Sequence, residues 1–220
     1  TLHNTLFPYT TLFRSDRSVD LPKQKYYPVL ERILDISLVL VSLPITLPTM
    51  VLTAVAIYWE SPGGVLFWQE RIGKNGERFQ MVKFRSMYLG NEGEEKARYA
   101  KEEDDRVTQV GRFIRKFRID ELPQFWNVLR GEMSLIGPRP EQVSFARSFR
   151  EDISLYTERH SVRPGISGWA QVRQGYAAGK EENRRKLEYD LYYVKHRSFV
   201  LDFLIIYLTL KTIFTGFGAR

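Results

Sequence analysis

The 220-residue chain contains no cysteine, which removes disulfide scaffolds, thiolate catalysis and cysteine-bound zinc from consideration. Histidine is almost as scarce. His3, His160 and His196 lie far apart, so folding alone would have to assemble any histidine metal cluster. The leading residues also lack the basic, apolar and small-residue succession of a secretion signal. Residues 1–22 show scattered aromatics and hydroxyls with no sustained period and are read as a disordered or non-native lead; Thr1–Asp16 receive no function.

Positive charge is what the chain has in excess. A formal net charge of +7 and a pI near 9.5 favour an anionic partner: lipid headgroup, nucleotide or nucleic acid. Nucleic acid is set aside because the cations follow no recognisable binding fold. The length suits one domain with appendages.

Ile36 to Trp59 is an uncharged run rich in Leu, Val and Ile, and it reaches the roughly 20 residues a bilayer-crossing helix needs. Pro44 and Pro48 interrupt it, each removing a backbone donor. Two geometries follow, a kinked transmembrane helix or a re-entrant hairpin that returns to the face it entered from. Lys23, Lys25 and Arg32 would sit on the anionic cytoplasmic side. Residues 23–60 are therefore assigned to the membrane, and 61–198 to the domain that follows.

Past the Ser61–Gly64 turn, Val65–Trp68 and Phe79–Met87 read as a hairpin that places Lys83 and Arg85 on one face. They are phosphate contacts or solvated edge cations. Asn91–Arg106 is a charge-rich surface excursion.

The chemistry concentrates between Gly111 and Glu141. Arg112, Arg115, Lys116, Arg118 and Arg130 surround the adjacent carboxylates Asp120 and Glu121. Such a pair in a positive field suits metal-assisted phosphate chemistry. Asp120 reads as a helix N-cap, with the helix ending at Gly131. Gly137-Pro138-Arg139-Pro140 and Arg163-Pro164-Gly165 each hold an arginine in a rigid turn, and guanidinium suits two phosphate oxygens. Phe145–His160 reads as helical, Gly175–Glu182 as a loop and Glu181–Arg197 as a charged helix. Residues 199–220 hold an apolar helix and a tail, the helix a short crossing candidate by length or one that lies in the membrane interface.

Several ordered segments then carry a resemblance: Gln69–Gly73, Lys83–Met87, Asp120–Gln124, Asn127–Ser134, Gly137–Pro140 and Arg163–Val172. Together they resemble the bacterial sugar transferase family, the monotopic polyprenyl-phosphate phosphoglycosyl transferases, over roughly Tyr27–Arg220. The likeness is to the catalytic portion of the large exopolysaccharide-initiating members in particular.

That resemblance implies an α+β monotopic membrane protein on the cytoplasmic face of the bacterial inner membrane. Its re-entrant N-terminal helix would break at Pro48, with Pro44 nearby, and its small catalytic domain would carry a short β-hairpin and interfacial amphipathic helices. The implied reaction moves a sugar phosphate from a UDP-sugar to undecaprenyl phosphate through an aspartyl intermediate, releasing UMP. Asp120 would be the nucleophile and Glu121 its partner, both near Mg²⁺, with Lys83, Arg85, Arg115 and Arg139 on phosphate and Arg163 shaping the donor pocket. Anionic lipids are expected partners and a homo-oligomer is left open. A membrane scaffold of a glycan-assembly complex and a lipid-dependent phosphohydrolase are the competing functions.

Overall fold

The computed structural model describes residues 26–88, 105–174 and 180–215. The leading segment, most of the charged excursion and the core of the 175–182 loop fall outside the described residues.

Helix α1 spans Tyr27–Glu60 and would measure about 51 Å if straight. Pro28 suits its first turn, where the missing N–H has no intrahelical use. The break expected at Pro48 does not end the helix, because helical backbone continues through both prolines to Glu60. Nearby hydroxyls fold back onto the same helix. Ser42 donates to the Val39 carbonyl (2.8 Å), Thr46 to Ser42 (3.1 Å), Thr49 to Ile45 (2.8 Å) and Thr53 to Thr49 (2.8 Å). These bonds satisfy polar side chains in an apolar setting and favour bending over termination.

Both halves of α1 are fastened to the folded domain. Arg32 donates to the carbonyls of Val128 and Leu129. Asp35 accepts from Ser134 Oγ (3.1 Å) and from the Leu135 amide (3.0 Å). At the far end, the Glu60 carboxylate accepts from the amides of Gln109 (2.6 Å) and Val110 (3.0 Å). Val39 packs among Phe79, Met81, Val128 and Met133, and Ile57 packs with Phe84 and Ile114. The remaining surface is bare: Val41, Ile45 and Leu52 are each more than 70% exposed. The best 18-residue window has mean hydropathy 2.1 and only 11% of it is buried, so α1 is not the core helix of a globular domain.

The expected hairpin forms. Strand β1 (Leu66–Ile72) pairs antiparallel with β2 (Arg78–Phe84), Leu66 opposite Phe84 and Ile72 opposite Arg78. Its turn uses left-handed backbone at Asn75 (φ 55°) and Gly76 (φ 81°), residues that tolerate it. Helix α2 (Gln109–Lys116) is capped by Thr108, whose hydroxyl accepts from the Gly111 amide at 2.8 Å. It leads into a 3₁₀ turn, Ile119–Gln124, and helix α3, Phe125–Arg130. Gly131 ends α3 as expected, at φ 81°.

A second pairing was hidden inside the two arginine turns. Strand β3 (Ser134–Ile136) runs parallel to β4 (Gly165–Ser167). The chains cross so closely that a Cβ on Gly165 would lie 2.1 Å from the Gly137 amide nitrogen, and one on Gly168 would lie 2.1 Å from the Gly137 carbonyl oxygen. Only glycine permits that approach.

Helix α4 (Val143–Asp152), a 3₁₀ turn (Tyr156–Ser161), α5 (Trp169–Gln174), α6 (Lys180–His196) and α7 (Phe199–Thr215) complete the described chain. Helix α7 buries Leu201 and Ile205, while Val200, Phe203, Leu204, Tyr207 and Leu210 are exposed. Its outward surface is thus apolar rather than amphipathic. It lies beside the start of α1, where the Tyr27 and Phe199 rings are 5.0 Å apart and the Tyr27 hydroxyl donates to Asp202. The amphipathic element is α2, which exposes Phe113 beside Arg112 and Lys116.

Candidate active site

Asp120 is not the N-cap that its sequence position suggests. Arg118 adopts left-handed backbone (φ 55°) and turns the chain into the 3₁₀ segment, so both acids ride inside the turn. For a non-glycine residue that conformation costs on the order of 1 kcal/mol. The Glu121 amide donates back to the Arg118 carbonyl at 3.2 Å. Asn127 then docks this segment onto the hairpin, accepting from the Val82 amide (3.1 Å) and donating to the Gln80 carbonyl (2.7 Å). Lys83 is thereby delivered beside the carboxylates.

The two acids are buried, at 8% and 6% exposure, and they are unequal. Glu121 accepts a hydrogen bond from Arg139 Nη2 and lies 3.8 Å from Arg118 Nη1. Asp120 makes no hydrogen bond or ion pair among the described residues. Burial and the neighbouring Glu121 raise the Asp120 pKa, against Lys83, Arg139 and Arg115. Burial pushes Glu121 up as well, but Arg139, Lys83 and Arg118 outweigh it and hold the group below its ordinary value. Lys83, half-buried, is lowered to about 8, first by burial and then by Arg139. The result is a glutamate that its cations bias toward the ionised form beside an aspartate that burial and the Glu121 charge bias toward the protonated one.

Arg139 reaches this centre from the loop after β3, and its Nη1 also donates to the Ile166 carbonyl at 3.3 Å. Four of the sequence candidates therefore converge with Arg139: Asp120, Glu121, Lys83 and Arg115. Arg85 and Arg163 are held elsewhere. The Arg85 guanidinium donates to the carbonyls of Ser61 (2.6 Å) and Pro62 (2.9 Å), fixing the exit of α1. Arg163 Nε donates to the Gly131 carbonyl (3.1 Å), and Nη1 lies 4.0 Å from Glu31.

Gln124 was not among the sequence candidates, and Arg118 was noted only as one of the cations around the acids. Gln124 is fully buried with neither amide atom partnered; its place one turn after the acids was the available signal. His196 is exposed, with its ring 4.6 Å from that of Tyr192.

No group of three or more His, Asp or Glu that could hold a metal occurs among the described residues. Two adjacent carboxylates, one already paired, suit an ion that keeps waters and takes substrate phosphates as ligands, the habit of Mg²⁺.

A buried acid pair among cations, on a fold that clasps one long bare apolar helix, is compatible with a monotopic membrane protein. The bacterial sugar transferase profile matches residues 26–216, and the chain belongs to that family. It is 53% identical over 194 residues to a UDP-N-acetylgalactosamine-undecaprenyl-phosphate N-acetylgalactosaminephosphotransferase of Aeromonas hydrophila, covering 88% of this chain and 46% of that protein. It is 40% identical over 200 residues to a UDP-glucose:undecaprenyl-phosphate glucose-1-phosphate transferase of Escherichia coli, covering 90% and 42%. A protein of that same description from Caulobacter vibrioides is 40% identical over 187 residues, covering 84% and 70%. The chain thus spans less than half the length of the first two relatives.

Proposed function

We propose that this chain transfers a sugar phosphate from a UDP-sugar to undecaprenyl phosphate in two displacements. The observation that carries the reading is the inequality of the acids: Glu121 is bound by Arg139, while Asp120 lies buried next to Lys83 with no hydrogen bond or ion pair among the described residues. A carboxylate free of protein hydrogen bonds keeps its lone pairs for attack.

In the first step an Asp120 oxygen bonds to the phosphorus that carries the sugar. The bond from that phosphorus to the bridging oxygen breaks, and UMP leaves with the electron pair. In the second, an oxygen of undecaprenyl phosphate attacks the same phosphorus and Asp120 departs as carboxylate. Lys83, Arg115 and Arg139 hold phosphate oxygens and stabilise the charge that develops. Glu121, kept ionised, orients Arg139. Asp120 and Glu121 would hold a Mg²⁺ ion, which would supply charge neutralisation of the diphosphate when bound.

The proposed setting is the cytoplasmic face of the inner membrane, with α1 dipping into the bilayer and returning. The ties at Arg32, Asp35 and Glu60 support it, since both halves of the helix are bound to one domain. Exposed α7 and the α2 aromatics extend the apolar surface toward anionic lipid.

The test incubates membrane-embedded protein and Mg²⁺ with a panel of UDP-sugars, with and without undecaprenyl phosphate, following UMP and lipid-linked product. Lipid-dependent product from one donor is expected. Sugar-phosphate release that ignores the lipid would assign the protein as a phosphohydrolase.

A further inference from the structure

Arg139 sits in Gly137-Pro138-Arg139-Pro140-Glu141, where two prolines remove amide donors on either side of it. The carbonyls become the handles by which the domain holds this strap. Four in succession are occupied. The Pro138 carbonyl accepts from the Gly165 amide (3.1 Å), Arg139 from Arg159 Nη2 (2.8 Å), Pro140 from Arg71 Nη1 (3.1 Å) and Glu141 from the Ile72 amide (3.1 Å).

The Arg159 contact differs from the others because of what stands behind it. Arg159 is 3% exposed, and Asp190 on α6 is fully buried. Arg159 Nε and Nη2 lie 2.9 and 2.6 Å from Asp190 Oδ2, and the same Nη2 reaches the Arg139 carbonyl. A buried pair of this kind gains little stability over well-packed apolar side chains, since both charges lose hydration. A fixed direction is what it does supply. One guanidinium, locked by α6, is aimed at the residue whose own guanidinium grips Glu121.

We propose that the Arg159–Asp190 pair is a positioning device for the transfer reaction: it fixes the Arg139 backbone so that the Arg139 side chain stays on Glu121. Arg159 and Asp190 touch no substrate. The inference rests on the phosphotransfer reading for its kinetic arm only.

The experiment replaces the pair by apolar side chains of similar volume, Arg159→Met with Asp190→Leu, in the wild-type and Arg139→Ala backgrounds. In the wild type the change is expected to lower kcat/KM for the UDP-sugar by about 10-fold or more. With Arg139 already removed it should cost about 2-fold or less, since residues that act through one another are not additive. Equal losses in both backgrounds would overturn the proposal and leave the pair a packing feature.

A second readout is independent of turnover: the rate at which phenylglyoxal modifies Arg139, followed by peptide mass. Faster modification in the pair-replaced protein is expected, and an unchanged rate refutes the device. If the double replacement does not fold, Arg159→Lys, which keeps charge opposite Asp190, decides by the same two measurements. Absence of any wild-type turnover would sink the sugar-phosphate reading, while the modification rate would still judge the strap.

Discussion

Arg139 Nη2 grips Glu121 and leaves Asp120, the adjacent carboxylate in the same turn, without a partner among the described residues. Asp120→Asn therefore keeps the side-chain volume and breaks no ion pair among the described residues. The variant is expected to melt within a few degrees of wild type and to form no covalent sugar-phosphate adduct by intact mass. An adduct of normal yield would reassign the nucleophile.

Lys83 has a folded pKa of about 8, lowered from 10.5. Its charge is present below that value and disappears as pH rises through it. The KM for the UDP-sugar should climb above about pH 8, and Lys83→Arg, which stays charged, should flatten that limb. A limb identical in both proteins would separate Lys83 from donor binding.

Arg85 matters for the joint after α1. Its two bonds to the Ser61 and Pro62 carbonyls predict that Arg85→Met loses about 1–3 kcal/mol of stability by leaving buried acceptors bare. The measurement is thermal unfolding in detergent, alongside KM for the donor. A large rise in KM with an unchanged melting temperature would return Arg85 to the phosphate site.

Glu141, ion-paired to Lys186, is held down to about 2 although burial pushes it upward. A depressed carboxylate contributes stability that is full above its unfolded value of 4.5 and is lost as pH falls toward 2. The contribution is about 3 kcal/mol. Acid unfolding of Glu141→Gln should lack that pH-dependent loss, starting from lower stability at neutral pH. Superimposable acid curves for the two proteins would refute the pairing.

The absence of cysteine permits a clean topology test. Single cysteines replacing Tyr26 and Pro62 are expected to react with an impermeant maleimide from the same side of the membrane. Labelling from opposite sides would make α1 a crossing helix.

What the sequence disclosed was whatever had a local period or a local stop. The hairpin was legible from alternation around Lys83 and from Asn75-Gly76, α3 from its stop at Gly131, and α6 and α7 from their lengths. The β3–β4 pairing was not, because three residues per strand make no period and the partners are about thirty positions apart. Gly137, Gly165 and Gly168 looked like turn residues, whereas each serves a crossing of two backbones.

The site divided along the same line. Asp120 and Glu121 were adjacent in sequence, and Arg139 was held in a proline-flanked turn, so all three could be nominated. Lys83 and Arg85 looked equivalent at i and i+2. Tertiary packing sent one to the acids and the other to the Ser61 and Pro62 carbonyls. The left-handed turn at Arg118 was invisible, since nothing in an arginine announces positive φ.

The attachment of α1 at Arg32 and again at Glu60 has a bearing on where Asp120 stands. A domain hung from one end of a spanning helix rises or sinks as that helix tilts to match the lipid around it. Here the helix is clamped to the domain at two well-separated places, so the height of the carboxylate above the apolar surface is written into the protein. Bilayers of different thickness should present their phosphate groups to the same ledge.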